Sequence, residues 1–406
     1  MEDISAIVSR VVNENYGHAH QLMPEQPWWD NLEKNFHKYP DSFELDLRTR
    51  MLVGSTAYAD VGIRTLVASI LATTCMPLMF NPMRKFRDQE EISVYQDMAD
   101  SGDASQFFHR PATGIKVNKT KPSWHHFDPE DGECSGLSFS SPFQPVNRAL
   151  DKRYLRHSRN RVAHAQYWRH HSGPRPTLCV IHGFMADPYW VNSKLLELRW
   201  FYRKGYDILL YTLPFHGKRQ EHFSPFSGHG YFSGGLCHLN EAVANSVHDF
   251  RIFLDYLDTQ GVEQYGVTGI SLGGYTSAIL AAVEERLAFS IPNVPVVSIV
   301  DLLLEWFPAS WVTKALMQFN GMSVSEARHQ VAVHCPLTYK PILPKERLMI
   351  VGGAGDRLAP PKHARLLWDH WERCQIHWFP GNHVMHLDKG KYLKEMLSFM
   401  RGLGFE

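Results

Sequence analysis

From residue 136 to the C-terminus the chain alternates short apolar runs with helical spacings, and this succession constrains the fold more than any other feature. "GLSFSSPF" and "RVAHAQYWRH" read as strands, the second with a rough period of two. "TLCVIHGF" is a continuous apolar run, as a strand buried on both faces requires. A helical stretch, "VNSKLLELRWFYRKGY", leads to the strand "DILLYTLPF". A long polar, Gly-rich loop and the helix "LNEAVANSVHDFRIFLDYLDTQ" come next. The pattern continues with the strand "YGVTGI", a small-residue helix and the strand "LAFSIPNVPVVS". A helical excursion, "DLLLEWFPASWVTKALMQFNGMSVSEARHQVAVH", interrupts it before strand "RLMIVGG", helix "PKHARLLWDHW", strand "CQIHWFPG" and helix "KYLKEMLSFMRGL". Strands alternating with helices predict an α/β fold, a mostly parallel central sheet flanked by helices. Ligands of such sheets bind beyond the C-terminal strand ends.

Residues 1–110 show apolar residues at helical spacing and predict a helical N-terminal region. Residues 111–135 are rich in Pro, Ser, Gly, Asp and His and read as a linker or surface wrap. The segment 65–80 has 16 residues without a charge, short of the roughly 20 that a spanning helix needs. It is expected to pack as a helix, with a peripheral membrane contact through 65–80 as the alternative. The first 20 residues lack a basic region followed by an apolar core, so no signal peptide is expected.

Composition narrows the function classes. The 406 residues suffice for one large α/β domain with an appendage, or for two domains. Lys+Arg and Asp+Glu are both 42, whereas a nucleic-acid binder usually carries a basic excess; no nucleic acid is expected as a partner. The six cysteines are scattered without a C-x-x-C pair and read as reduced thiols of a cytoplasmic protein. The 23 histidines include close pairs such as His125 with His126, His170 with His171, and His216 with His222. None has H-x-x-x-H spacing on a helix with a carboxylate beside it, so no metal and no cofactor are expected.

The chemistry centres on "GISLGG". Gly269-Ile270-Ser271-Leu272-Gly273 fits G-x-S-x-G, a sharp strand-to-helix turn that lifts a serine above the sheet. Side chains two positions before or after the serine would clash, so glycine serves at both. Ser271 then needs a base, and the base an orienting acid, in the chain order serine, acid, histidine. Asp356 in "VGGAGDRLAPP" and His383 in "WFPGNHVMH" both follow strands and fall on the same sheet edge. Asp301 is an alternative acid and His386 an alternative base. The backbone N–H of Leu272 and that of Phe184, in the loop after "TLCVIHGF", are the expected oxyanion donors. His182 is expected to hold that loop by hydrogen bonds.

Together "HGF", "LPFHGKR", "GISLGG", "GAGDRLAP" and "FPGNH" make residues 136–406 resemble the α/β-hydrolase superfamily. "TLPFHGKR" is similar to a family stretch ending in Gly-His-Gly, with Phe215 in place of the first glycine. "YGVTGISLGG" also resembles the branch of abhydrolase-domain-containing protein eighteen, whose proposed role is lipid deacylation. The resemblance implies an α/β-hydrolase fold with a helical cap insertion at about 300–340, beside the helical N-terminal extension. It also implies a serine hydrolase acting on carboxylic esters, without a cofactor. Phe223, Phe226, Tyr231 and Phe232 line an acyl pocket or simply pack their loop. Trp306, Phe307, Trp311 and Met317 cover the site or form the core of the cap. A small-molecule or lipid acyl ester is the expected substrate. Peptidase or acyltransferase chemistry, or a non-catalytic binding role, are the alternatives.

Overall fold

The computed structural model describes residues 26–40, 47–75, 82–124, 126–185 and 188–406. Its described strands form one nine-stranded sheet in the order β1-β2-β3-β5-β4-β6-β7-β8-β9. The antiparallel edge is β1 (Asn118–Thr120), β2 (Gly132–Ser140) and β3 (Val162–His170), which pairs antiparallel with β5 (Asp207–Thr212). Beyond β5 every neighbour is parallel: β4 (Thr177–Ile181), β6 (Tyr265–Ile270), β7 (Ser290–Asn293), β8 (Met349–Gly353) and β9 (Gln375–Phe379). Every residue of β4, β5 and β6 is buried, because helices cover both faces. The register in the centre aligns Ile181 with Gly269 and with Tyr211, so these three strands end at one level.

The helices fall largely where the spacing predicts them. In the N-terminal region α1 spans Leu47–Thr74 and α2 spans Pro82–Ser101. The predicted helix after β4 is instead two short ones, α3 (Tyr189–Leu195) and α4 (Leu198–Tyr202), because Glu197 takes a left-handed φ of 49° between them. Then come α5 (Leu236–Thr259) and α6 (Leu272–Val283). Between β7 and β8 lie α7 (Ile299–Glu305), α8 (Ala309–Asn320) and α9 (Val324–His329). The last two are α10 (Pro361–His370) and α11 (Lys391–Gly402). The strand expected over "LAFSIPNVPVVS" is only the four residues of β7. Val294 turns left-handed at φ 42° and Pro295 has no N–H for the ladder.

The N-terminal elements pack onto the sheet domain. Trp28, Phe36, Ala68, Tyr95 and Phe107 share one core with Cys179 and Tyr211 of the sheet. The Tyr95 hydroxyl donates to Glu241 on α5 at 2.5 Å, and Trp28 Nε1 donates to Thr338 at 2.9 Å. The apolar run at 65–80 supplies the end of α1. Ala68, Leu71, Ala72 and Cys75 are buried there, Leu66 is exposed, and residues 76–80 lie outside the described residues. No described helix is long and apolar enough to cross a membrane.

Candidate active site

Ser271 stands between β6 and α6 with φ 58° and ψ −113°, a region that non-glycine residues avoid. The turn is pinned on both sides: Ser271 N–H donates to Asn293 O at 3.0 Å, and Tyr275 N–H donates to Ser271 O at 2.8 Å. The surrounding glycines make room for it. A Cβ on Gly273 would collide with the Ile181 carbonyl, and one on Gly269 with the backbone of Gly273. Close approach of β4, β6 and α6 thus forces the serine onto the C-terminal edge, at a helix N-terminus that favours negative charge.

The β8 and β9 ends bring Asp356 and His383 together on the same edge. His383 Nδ1 lies 2.6 Å from Asp356 Oδ2, and both side chains are buried. The other carboxylate oxygen, Oδ1, accepts from the N–H groups of Leu358 at 2.9 Å and Ala359 at 2.8 Å. Asp356 is therefore fixed in orientation and leaves one oxygen for the imidazole. Burial disfavours a charged His383, but the Asp356 carboxylate and its hydrogen bond outweigh that, with a smaller contribution from Asp60. The imidazole pKa ends above its ordinary value. Among the described residues no hydrogen bond joins the Ser271 hydroxyl to His383. Such contacts are often long without substrate.

Asp60 is the residue that sequence reasoning missed. It belongs to α1, is fully buried, and accepts from His383 N–H at 2.9 Å and Arg357 N–H at 3.0 Å through the single atom Oδ2. Burial, followed by the charge of Asp356, pushes its carboxyl up to about 6. A sequence signal exists: Val53, Asp60, Ala68 and Leu71 fall on the buried face of one helix, an acid in an apolar stripe.

The loop after β4 reaches the serine from the other side. A Cβ on Gly183 would lie 3.5 Å from Ser271 Cβ, so the backbone there passes close to Ser271. Among the described residues, the N–H groups of Phe184 and Leu272 donate no backbone hydrogen bond. His182 holds the loop, with Nε2 accepting from Leu213 N–H at 3.1 Å and Nδ1 lying 2.8 Å from Gly183 O. The Phe184 ring meets Phe226 and Phe232 edge-on, at centroid distances of 6.0 and 5.1 Å. Tyr231 is core instead, and Phe223 is fully exposed. Phe215 takes φ 62°, the conformation that glycine adopts freely, and Gly230 leaves room for its ring.

The rival residues have other partners. Asp301 is locked to Arg328 at 2.7 and 2.9 Å, both side chains fully buried. His386 is wedged between Phe379 and Tyr392, at centroid distances of 4.0 and 4.4 Å, and burial pushes its pKa down to about 4. Among the aromatics of the segment between β7 and β8, Trp306 is buried and donates to Leu358 O at 3.0 Å, which ties it to the Asp356 loop. Phe307 and Trp311 are exposed, and Met317 packs against the core. Among the described residues no three His, Cys, Asp or Glu side chains converge to hold a metal. His125 lies outside the described residues, and His170 is taken up by Asp207 at 2.7 Å.

A largely parallel sheet whose strand ends carry a serine turn, an acid and a histidine in that chain order is the α/β-hydrolase fold. Solved structures of that fold resemble the chain. An acetyl xylan esterase from Paenibacillus sp. R4 superposes with a TM-score of 0.54 at 13% identity, over 76% of this chain and 94% of that one. Acetyl xylan esterase 1 from Thermoanaerobacterium sp. JW/SL YS485 superposes with a TM-score of 0.50 at 19% identity, over the same shares. By sequence the chain is similar to an uncharacterized protein of Mycobacterium tuberculosis, 29% identical over 298 residues and 69% of this chain. The match spans 66% of that relative, just under two-thirds of its length. No protein-family model matches the chain.

Proposed function

We propose that the chain is a serine hydrolase that cleaves carboxylic esters of apolar acyl groups. The observation that carries this reading is Ser271 in its strained turn on the sheet edge that also holds the 2.6 Å pair of His383 and Asp356. His383 takes the Ser271 proton as the hydroxyl oxygen attacks the ester carbonyl. Asp356 keeps the proton of Nδ1 in place and stabilises the imidazolium. The N–H groups of Leu272 and Phe184 receive the oxyanion. The imidazolium then protonates the departing alcohol and leaves an acyl-serine. Water, deprotonated by His383, releases the acid and restores the serine. Phe184, one residue after the glycine that approaches Ser271, packs edge-on against Phe226 and Phe232, and such an apolar cluster would suit an acyl chain better than a charged group. The resemblance of "YGVTGISLGG" to a branch whose proposed role is lipid deacylation is in keeping with this reading.

The test is labelling with a fluorophosphonate, followed by turnover of nitrophenyl esters of increasing acyl length. Wild type should label, and Ser271→Ala should lose both labelling and about 10⁴-fold or more of the turnover, as removal of a triad serine does. An unlabelled wild type, or undiminished labelling of Ser271→Ala, would sink the catalytic reading. A strong preference for charged, non-acyl substrates would sink the acyl assignment alone.

A further inference from the structure

Resting on the triad reading above, we infer that Asp60 of α1 is a positioning residue: it joins the two loops that carry the acid and the base and places a second negative charge beside the imidazole. The geometry is specific. One oxygen, Oδ2, bridges the His383 N–H at 2.9 Å and the Arg357 N–H at 3.0 Å. These N–H groups belong to the base itself and to the residue after the acid. The loops after β8 and β9 are thereby tied at one point, behind the Asp356–His383 hydrogen bond. The other oxygen, Oδ1, is buried and has no hydrogen-bond partner among the described residues. An isolated buried carboxylate is costly, and a helix that merely packed here would present an apolar side chain.

The groups that face Asp60 define its electrostatic role. Asp356 and Arg357 come from the loop after β8, and His383 from the loop after β9. On its own helix, Arg64 Nη1 donates to Arg357 O at 3.3 Å, which fastens the same loop a second time. Proton transfer from Ser271 turns His383 into an imidazolium, and the Asp60 charge stabilises that cation alongside Asp356. Burial, and then proximity to Asp356, raise the Asp60 carboxyl to about 6, so its charge is present at neutral pH and above and is lost in acid. Asp60 is thus placed to act on the base without touching the substrate.

Two substitutions separate the bridge from the charge. Asp60→Asn keeps an oxygen that can accept from both N–H groups but removes the charge. Asp60→Ala removes both. The readout is the rate of fluorophosphonate labelling of the full chain against pH, with Ser271→Ala as the control. Asp60→Asn should label within about threefold of wild type at alkaline pH, with its acidic limb displaced to lower pH because the imidazole has lost a stabilising anion. Asp60→Ala should label at least about tenfold more slowly throughout, because the base is no longer held. Two wild-type profiles would overturn the inference, and so would equal losses with an unmoved acidic limb, the signature of a purely structural contact. In either case an unlabelled Ser271→Ala leaves the triad standing. Wild-type-like labelling of Ser271→Ala, or none in wild type, would instead bring down the triad reading and this inference with it.

Discussion

At the residue scale, the serine turn is an exercise in exclusion. Gly273 is the tightest point, since any Cβ there meets the Ile181 carbonyl, which β4 cannot move without losing its pairing to β5 and β6. Gly273→Ala should therefore cost about 3 kcal/mol or more, beyond the range of ordinary surface changes, and urea unfolding would show it. A wild-type midpoint would mean that the sheet tolerates the methyl group. This crowding is why Ser271 could be picked out of the sequence, because the glycine spacing is a local consequence of a local clash. Asp356 and His383 were legible for a different reason: each follows an apolar run that marks a strand end. Asp60 had no such neighbour. It sits 323 positions from its partner His383, and its place in an apolar stripe marks it as buried without showing what it touches once the helix is docked.

At the element scale, the segment between β7 and β8 is anchored through Arg328. Its guanidinium pairs with Asp301 and donates to Leu32 O at 2.5 Å and Glu33 O at 2.9 Å, so one buried cation joins α7, α9 and the N-terminal turn. Arg328→Ala would leave the buried Asp301 without its cation and Leu32 O without its donor, while Glu33 O keeps the Phe36 N–H. A loss of about 3–5 kcal/mol is expected, read as a lower midpoint in urea. A change under 1 kcal/mol would show that water replaces the guanidinium. Element existence was largely readable from periodicity, and the errors lie where one backbone angle decides. Glu197 splits a helix whose apolar spacing runs on through it, and Val294 ends a strand whose composition continues. Neither residue has a sequence signal for a positive φ.

At the scale of the whole molecule, buried histidines govern the response to acid. His238, His334 and His363 are pushed down to about 3 by burial, and His216 is also held well below its ordinary value. Each stays neutral in the fold while the unfolded chain takes up a proton below about 6.5, so stability is lost as pH falls, by up to about 1.4 kcal/mol per unit and group. Glu241 and Asp60 oppose this, since burial raises them to about 7 and 6 and their protonated forms favour the fold. The histidines outnumber them, and the thermal midpoint should fall steeply between about pH 6.5 and 4. A flat profile over that interval would contradict the histidine assignment. During synthesis Asp60 of α1 leaves the ribosome 323 residues ahead of His383. Their contact joins residues 323 positions apart, so a nascent chain can hold a formed serine turn before the proposed base has been made.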